Sequence, residues 1–266
     1  MEFLKIVRRR SFLSEVVYTV LNIALAVALL VIIRSTESIW FAFGLIVLSK
    51  WRVLAVRPRY WFVNVQANLV DLIVSVSVVI FMYTTSIANA SDGQRLLIEL
   101  VLMVLYIGWL LFLKPRSKRV YVVAQAGVAL FLGVAAIFTV SYDWAASAVI
   151  LLIWVIGYAT ARHVLSNYDE PHVVFLSLVW GLVLTELSYL SYHWTIAYSL
   201  PVLQTVMIPQ AALIISGFGF LVHKSYDSYF HYEKIRINDI ILPLLLMIGI
   251  IFVLLVFFNG VNTTNI

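Results

Sequence analysis

Residues 62–82 read FVNVQANLVDLIVSVSVVIFM, and the reading of this run decides the fold. It has about the length a helix needs to cross the hydrocarbon core of a bilayer, roughly 20 residues. Its polar residues Asn64, Asn68, Asp71 and Ser75 recur at spacings of four, three and four, so a helix carries them on one face. Similar apolar runs recur along the whole chain and are continuous instead of alternating. Helices account for them, and the strands of a closed barrel do not.

Composition places the rest of the chain in the same solvent. Hydrophobic residues make up 63% of it and charged residues 12%, with a mean hydropathy of +1.02, far from the usage of a soluble domain. The fold expected is all-α: a polytopic membrane helical bundle, one integral membrane domain over 1–266. Nine spans are read, at about 16–33, 38–56, 62–82, 96–113, 120–140, 145–161, 173–193, 197–221 and 240–258. The first follows a basic segment, as in a signal peptide, but its length favours a retained helix. There is no cysteine, which excludes disulfides, thiolate metal sites and cysteine nucleophiles together.

Orientation follows from the basic residues, because cytoplasmic loops hold the excess of Lys and Arg. Alternate connections hold Lys5, Arg8, Arg9 and Arg10; Lys50, Arg52, Arg57 and Arg59; Lys114, Arg116, Lys118 and Arg119; Arg162; and Lys224, Lys234 and Arg236, which is 16 of the 18. Only Arg34 and Arg95 fall on the other side. The N-terminus is therefore expected inside and the C-terminus outside, in a cytoplasmic membrane. The net charge of +5 reads as orientation and contact with anionic lipid head groups at the inner face. It is not a nucleic-acid footprint, since the basic residues are spread over separate loops. Two Asn-X-Ser/Thr sequons, at Asn89 and Asn262, fall on the outer side and are too short to argue from.

Ionisable residues at membrane depth are the default functional candidates. Asp71 stands roughly 13 Å from the inner end of its span. About the turn at 57–61, Lys50 and Asp71 lie ten residues before and eleven after Tyr60, so an antiparallel hairpin puts them at one depth. The readings are an intramembrane ion pair, or a polar path running through Asn64, Asn68, Asp71 and Ser75. In LTELSYLSYHW, Glu186, Tyr189 and His193 share a helical face by their spacings of three and four. Gln204 lies as far beyond the turn near 195 as Glu186 lies before it, and Glu99 near the outer start of the fourth span reaches the same layer. These five form the second candidate, an outward-opening polar pocket. Its following span carries Pro201 and Pro209, each of which breaks a helix, and broken helices frame substrate sites in transporters.

Other clusters read more plainly. Asp169, Glu170, His172 and His163 are acceptable metal ligands in a spacing that matches no metal motif, and helix-start chemistry around Pro171 explains the acids better. The aromatic and basic segment HKSYDSYFHYEKIRIND suits an inner loop in the head-group region. Ala129 and Gly133 fit close helix packing. No cofactor, metal or phosphate-cradling motif is read. A small-solute or ion transporter explains the membrane-depth polar faces best. An accessory subunit of a membrane complex, bound to partner subunits, comes second. A membrane-embedded enzyme acting on lipid or envelope precursors comes third, with Glu186 and His193 as acid and base.

Overall fold

A computed structural model describes residues 12–55, 57–168, 170–192, 197–199 and 207–257. Ten helices are present among them: α1 (Phe12–Thr36), α2 (Ile39–Ser49), α3 (Trp51–Leu54), α4 (Trp61–Ser86), α5 (Asp92–Gly108), α6 (Arg119–Val140), α7 (Ala146–Leu165), α8 (Val173–Tyr192), α9 (Gln210–Tyr232) and α10 (Ile237–Phe257). A 3-10 turn, Pro58–Tyr60, leads into α4, and a π-helical turn, Trp109–Leu113, continues α5. The one pairing of extended chain among the described residues is a three-residue antiparallel ladder, β1 (Ala197–Ser199) against β2 (Met207–Pro209). Seven helical segments are long and apolar enough to cross a membrane: Ser14–Thr36, Pro58–Ser86, Asp92–Leu113, Arg119–Val140, Ala146–Leu165, Val173–Tyr192 and Ile237–Leu254. The chain is a multi-pass, helical membrane protein.

Local chemistry sets the ends of these helices. Ser91 caps α5, its hydroxyl accepting from the Gln94 amide at 3.4 Å, and Asp92 adds negative charge to the first turn. Pro115 stops the π-turn because it has no N–H to continue it. Glu233, at φ 55°, closes α9 in the left-handed conformation.

Two expected spans take a different form. The run 38–56 is divided at Lys50, whose backbone leaves the α region between α2 and α3. The run 197–221 is not a twice-kinked helix. Pro209 precedes the first turn of α9, where its missing N–H costs nothing, and it is the last residue of β2. Pro201 lies outside the described residues. The segment read as an inner loop, 223–239, is mostly helix, since α9 runs on to Tyr232.

The packing falls into two apolar cores. One gathers α1, α2, α4 and α5 around Leu29, Ile46, Val74, Met82 and Tyr106; the other gathers α6 to α9 around Phe138, Ile153, Leu184 and Ile215. α4 and α6 join them closely: a Cβ built on Gly133 would lie 2.8 Å from Ile73 Cγ2. α7 and α8 come nearer still, with backbone against backbone, since a Cβ on Gly157 would lie 3.1 Å from the Gly181 Cα. Where both solvents are apolar, such contacts and interhelical hydrogen bonds hold a bundle together. The end of the bundle that carries the 57–60, 114–118 and 233–236 connections is called the basic end below.

Candidate functional site

Asp71 is the centre of the most charged buried region. It stands in the middle of α4, 10% exposed, and Lys50 Nζ donates to its Oδ2 from the break between α2 and α3. Lys114 Nζ lies 2.8 Å from the same oxygen. Trp109 Nε1 donates to Oδ1 at 3.1 Å. One carboxylate thus faces two ammonium groups and an indole. Its own backbone carbonyl accepts from Ser75 Oγ at 2.7 Å, and Ser75 in turn accepts from the buried Tyr106 hydroxyl at 3.0 Å.

The π-turn explains how Trp109 and Lys114 reach the same acid. Five residues apart on an α-helix, they would point about 140° away from each other. Here the Lys114 amide donates to the Trp109 carbonyl at 2.9 Å, which closes the wider turn and brings both side chains to one side. The wider turn also leaves carbonyls without amides. Leu110 would be served by residue 115, which is proline, and the Tyr18 hydroxyl of α1 donates to it instead at 3.2 Å. Gln125 Nε2 donates to the Leu113 and Arg116 carbonyls at 2.7 and 2.8 Å, and its Oε1 faces His163 Nε2 at 2.8 Å. His163 is therefore engaged in holding the 114–118 connection.

Asn64 and Asn68, both half-buried, lead from the basic end along α4 toward Asp71. Asn68 donates to the Asn64 carbonyl at 2.8 Å, and Asn64 reaches the Val53 carbonyl at 3.4 Å. Of the first candidate set, the structure brings together Lys50, Asp71 and Ser75 directly, with the two asparagines one and two turns below. Lys114, Trp109 and Tyr106 belong to the same cluster and were not anticipated. One signal was available: Asp71 and Trp109 lie nineteen residues on either side of Ala90, in the turn that joins α4 to α5.

Among the described residues of the second set, Glu99 stands apart from Glu186 and Tyr189. Glu186 stands on the exposed side of α8, in a stripe with Phe175 at 65% and Leu190 at 65% exposure. Tyr189 is also exposed, at 50%. His193 and Gln204 lie outside the described residues. Glu99, 1% exposed, is bound elsewhere: Arg34 of α1 donates to it at 3.0 Å and to Asp92 at 2.8 Å. Glu186 and Tyr189 are both on the exposed side of α8; spacing alone does not say which way a helical face turns.

The 166–172 connection is tied to α9. The Tyr168 hydroxyl donates to Asp227 at 2.8 Å, and Tyr226 donates to Glu170. Burial and that bond to Asp227 push the Tyr168 phenol well above its ordinary range. Arg119 lies over the Tyr168 ring, 4.2 Å from its centroid. Glu170 is therefore held by a phenol in this region, while Asp169 lies outside the described residues.

Compared with known proteins, the chain matches no family model, no curated protein and no solved structure.

Proposed function

We propose that the chain is a permease-like protein of the cytoplasmic membrane that passes a small anion, or a small solute carrying negative charge, along the polar face of α4. In this reading α2 with α3, and α9, complete nine crossings, the basic end faces the cytoplasm, and its loops meet anionic lipid head groups. The observation that carries the proposal is the charge count at Asp71, where two ammonium groups face one carboxylate. A surplus positive charge beside a buried carboxylate at the mouth of a membrane bundle calls for a counter-ion. Lys114, 33% exposed against 13% for Lys50, is the ammonium that a solute arriving from the basic end would meet. Asn64 and Asn68 supply amide groups on the way.

The test is uptake into vesicles containing the purified protein, with chloride, nitrate, phosphate and small carboxylates as probes. Transport of at least one is expected, with most of it lost in Lys114→Gln, which removes the surplus charge and leaves a balanced Lys50–Asp71 pair. Failure of every probe to exceed empty vesicles, or full transport by Lys114→Gln, overturns the proposal.

One observation favours the second reading, an accessory subunit. Glu186 lies six residues from the last residue of α8, roughly 9 Å along the axis, on an apolar and exposed stripe. A carboxyl group so placed is suited to a hydrogen-bond donor on a neighbouring membrane protein. Glu186→Gln should then weaken a native complex while leaving the isolated protein equally stable. The enzyme reading relied on Glu186 as an acid beside His193 and draws no support from this outward placement.

A further inference from the structure

The arginines at the two ends of the bundle have different company. Away from the basic end they are held by acids: Arg34 lies 2.8 Å from Asp92 and 3.0 Å from Glu99, and Arg95 lies 3.8 Å from Asp92. At the basic end Arg59, Arg116, Arg119 and Arg162 lie over tyrosine rings, 4.6, 4.8, 4.2 and 5.9 Å from the centroids of Tyr60, Tyr121, Tyr168 and Tyr158. None of these four has a carboxylate within ion-pair distance among the described residues. Arg236 has both kinds of contact, with Tyr232 and Asp239. A ring face attracts a guanidinium through its quadrupole and orients it, but leaves its charge in place.

Arg162 is the most constrained of the four. It stands three residues before the end of α7, roughly 5 Å from the basic end, at the depth of lipid head groups. Its Nη1 donates to the Tyr158 hydroxyl at 3.0 Å, and Gln66 Nε2 of α4 donates to the same oxygen at 2.7 Å. All three side chains are half-buried, so they remain open to contact from the side of the bundle. The phenol oxygen accepts twice, and its own hydrogen finds no acceptor among the described residues. A guanidinium carries five N–H groups, and one of those of Arg162 is used here. The two helices therefore present a fixed cluster of donors with a full positive charge and no acid. Below it, Leu151, Val155, Tyr158 and Arg162 follow one another at spacings of four, three and four, on one face of α7. Leu151 is 61% exposed, and it lies eleven residues from Arg162, roughly 16 Å along the axis, which is about the length of an acyl chain.

We propose that Gln66, Tyr158 and Arg162 form a binding site for one anionic phospholipid at the basic end, between α4 and α7. The lipid phosphate takes the free N–H groups of Arg162, whose planar fork matches phosphate oxygens, and accepts from the Tyr158 hydroxyl. Gln66 holds that phenol in place, and an acyl chain lies along Val155 and Leu151. A head group that carries a cation of its own brings that cation among the neighbouring arginines, so a net negative lipid is preferred. The site rests on the reading that the basic end meets anionic lipid, but not on transport: loss of lipid binding leaves the uptake test standing, and loss of uptake leaves this one.

The experiment titrates phosphatidylglycerol into the full chain in a neutral detergent and counts retained lipid by native mass spectrometry, with the lipid-induced rise in melting temperature as a second readout. One lipid should saturate ahead of any others, and phosphatidylcholine should bind more weakly. Arg162→Gln should weaken that lipid by at least roughly tenfold, the worth of a charge-assisted hydrogen bond, and Tyr158→Phe by roughly fivefold. Arg57→Gln removes an exposed charge of the same end that lies outside the site and should leave binding unchanged. Tyr158→Phe keeps the ring and carries the test by itself if Arg162→Gln fails to accumulate. Soluble glycerol phosphate at millimolar concentration should not displace the lipid; displacement would make a free phosphate the ligand and overturn the proposal. Binding that does not saturate, that is equal for the two lipids, that falls as much in Arg57→Gln as in Arg162→Gln, or that is unchanged in Tyr158→Phe also overturns it.

Discussion

Removing Lys50 leaves Asp71 with Lys114, and removing Lys114 leaves it with Lys50, so either change ends in a balanced pair. Removing the carboxylate leaves two ammonium groups facing each other, that of Lys50 largely buried. Lys50→Met and Lys114→Met should therefore each cost within about 1 kcal/mol of stability, while Asp71→Asn costs about 3–5 kcal/mol, the range for stranding a buried charge. Unfolding of the purified variants checks this; a loss in Lys50→Met equal to that in Asp71→Asn would show that Lys114 does not compensate. The same logic separates the partners at the other end of the bundle. Arg34→Met strands the buried Glu99, whereas Glu99→Gln leaves Arg34 with Asp92, so the arginine change should be the more damaging by about 1–3 kcal/mol. The sequence made part of this legible. A short hairpin fixes depth, which is why Lys50 and Asp71 could be placed together, and the longer turn at 87–91 would have placed Trp109 with them. Lys114 was hidden because depth counting assumes α-helical rise and rotation, and a π-turn changes both. Glu186 shows the complementary limit: its place along the helix could be counted, but the side of the bundle it faces depends on which neighbours α8 finds.

At the scale of elements, the π-turn is equivalent to an α-helix with one residue inserted. Deleting Phe112, which is 67% exposed, would leave Trp109 and Lys114 four residues apart, still on one face and still joined by an amide-to-carbonyl bond in α register. That deletion should be tolerated, with accumulation and melting near those of the parent. Deleting Leu102 instead would rotate everything after it, Trp109 and Lys114 included, by about 100° relative to the first part of α5. It should abolish accumulation. Equal tolerance of the two deletions would mean that the register of α5 is not fixed by Asp71. Helix ends were less legible than helix centres. The polar residues of 223–232 looked like a loop by composition, but tertiary bonds from Tyr168 and Tyr226 to Asp227 and Glu170 give them a reason to remain helical. Pro209 stands at the start of α9 and not inside a helix, and its presence in the sequence did not say that a short extended strand would lead into it.

For the whole molecule, the division of basic residues by 16 to 2 predicts that a reporter fused after Ile266 registers outside and one placed within 114–119 registers inside. Both on one side would mean that α2 with α3, or α9, does not complete a crossing. Composition made the class of fold legible, because nothing but a bilayer suits so many apolar residues. It did not reveal the two cores, which depend on where small residues let backbones meet. The bond between Lys50 and Asp71 also bears on biosynthesis. Helices leave the ribosome in order, and Lys114 follows Asp71 by 43 residues, so Asp71 reaches the bilayer in company with Lys50 before Lys114 does. The nearer lysine is then the acid's escort during insertion, and the later one joins only when α5 arrives. Lys50→Met should accordingly lower the yield of inserted protein more than Lys114→Met does, although the two finished proteins are about equally stable.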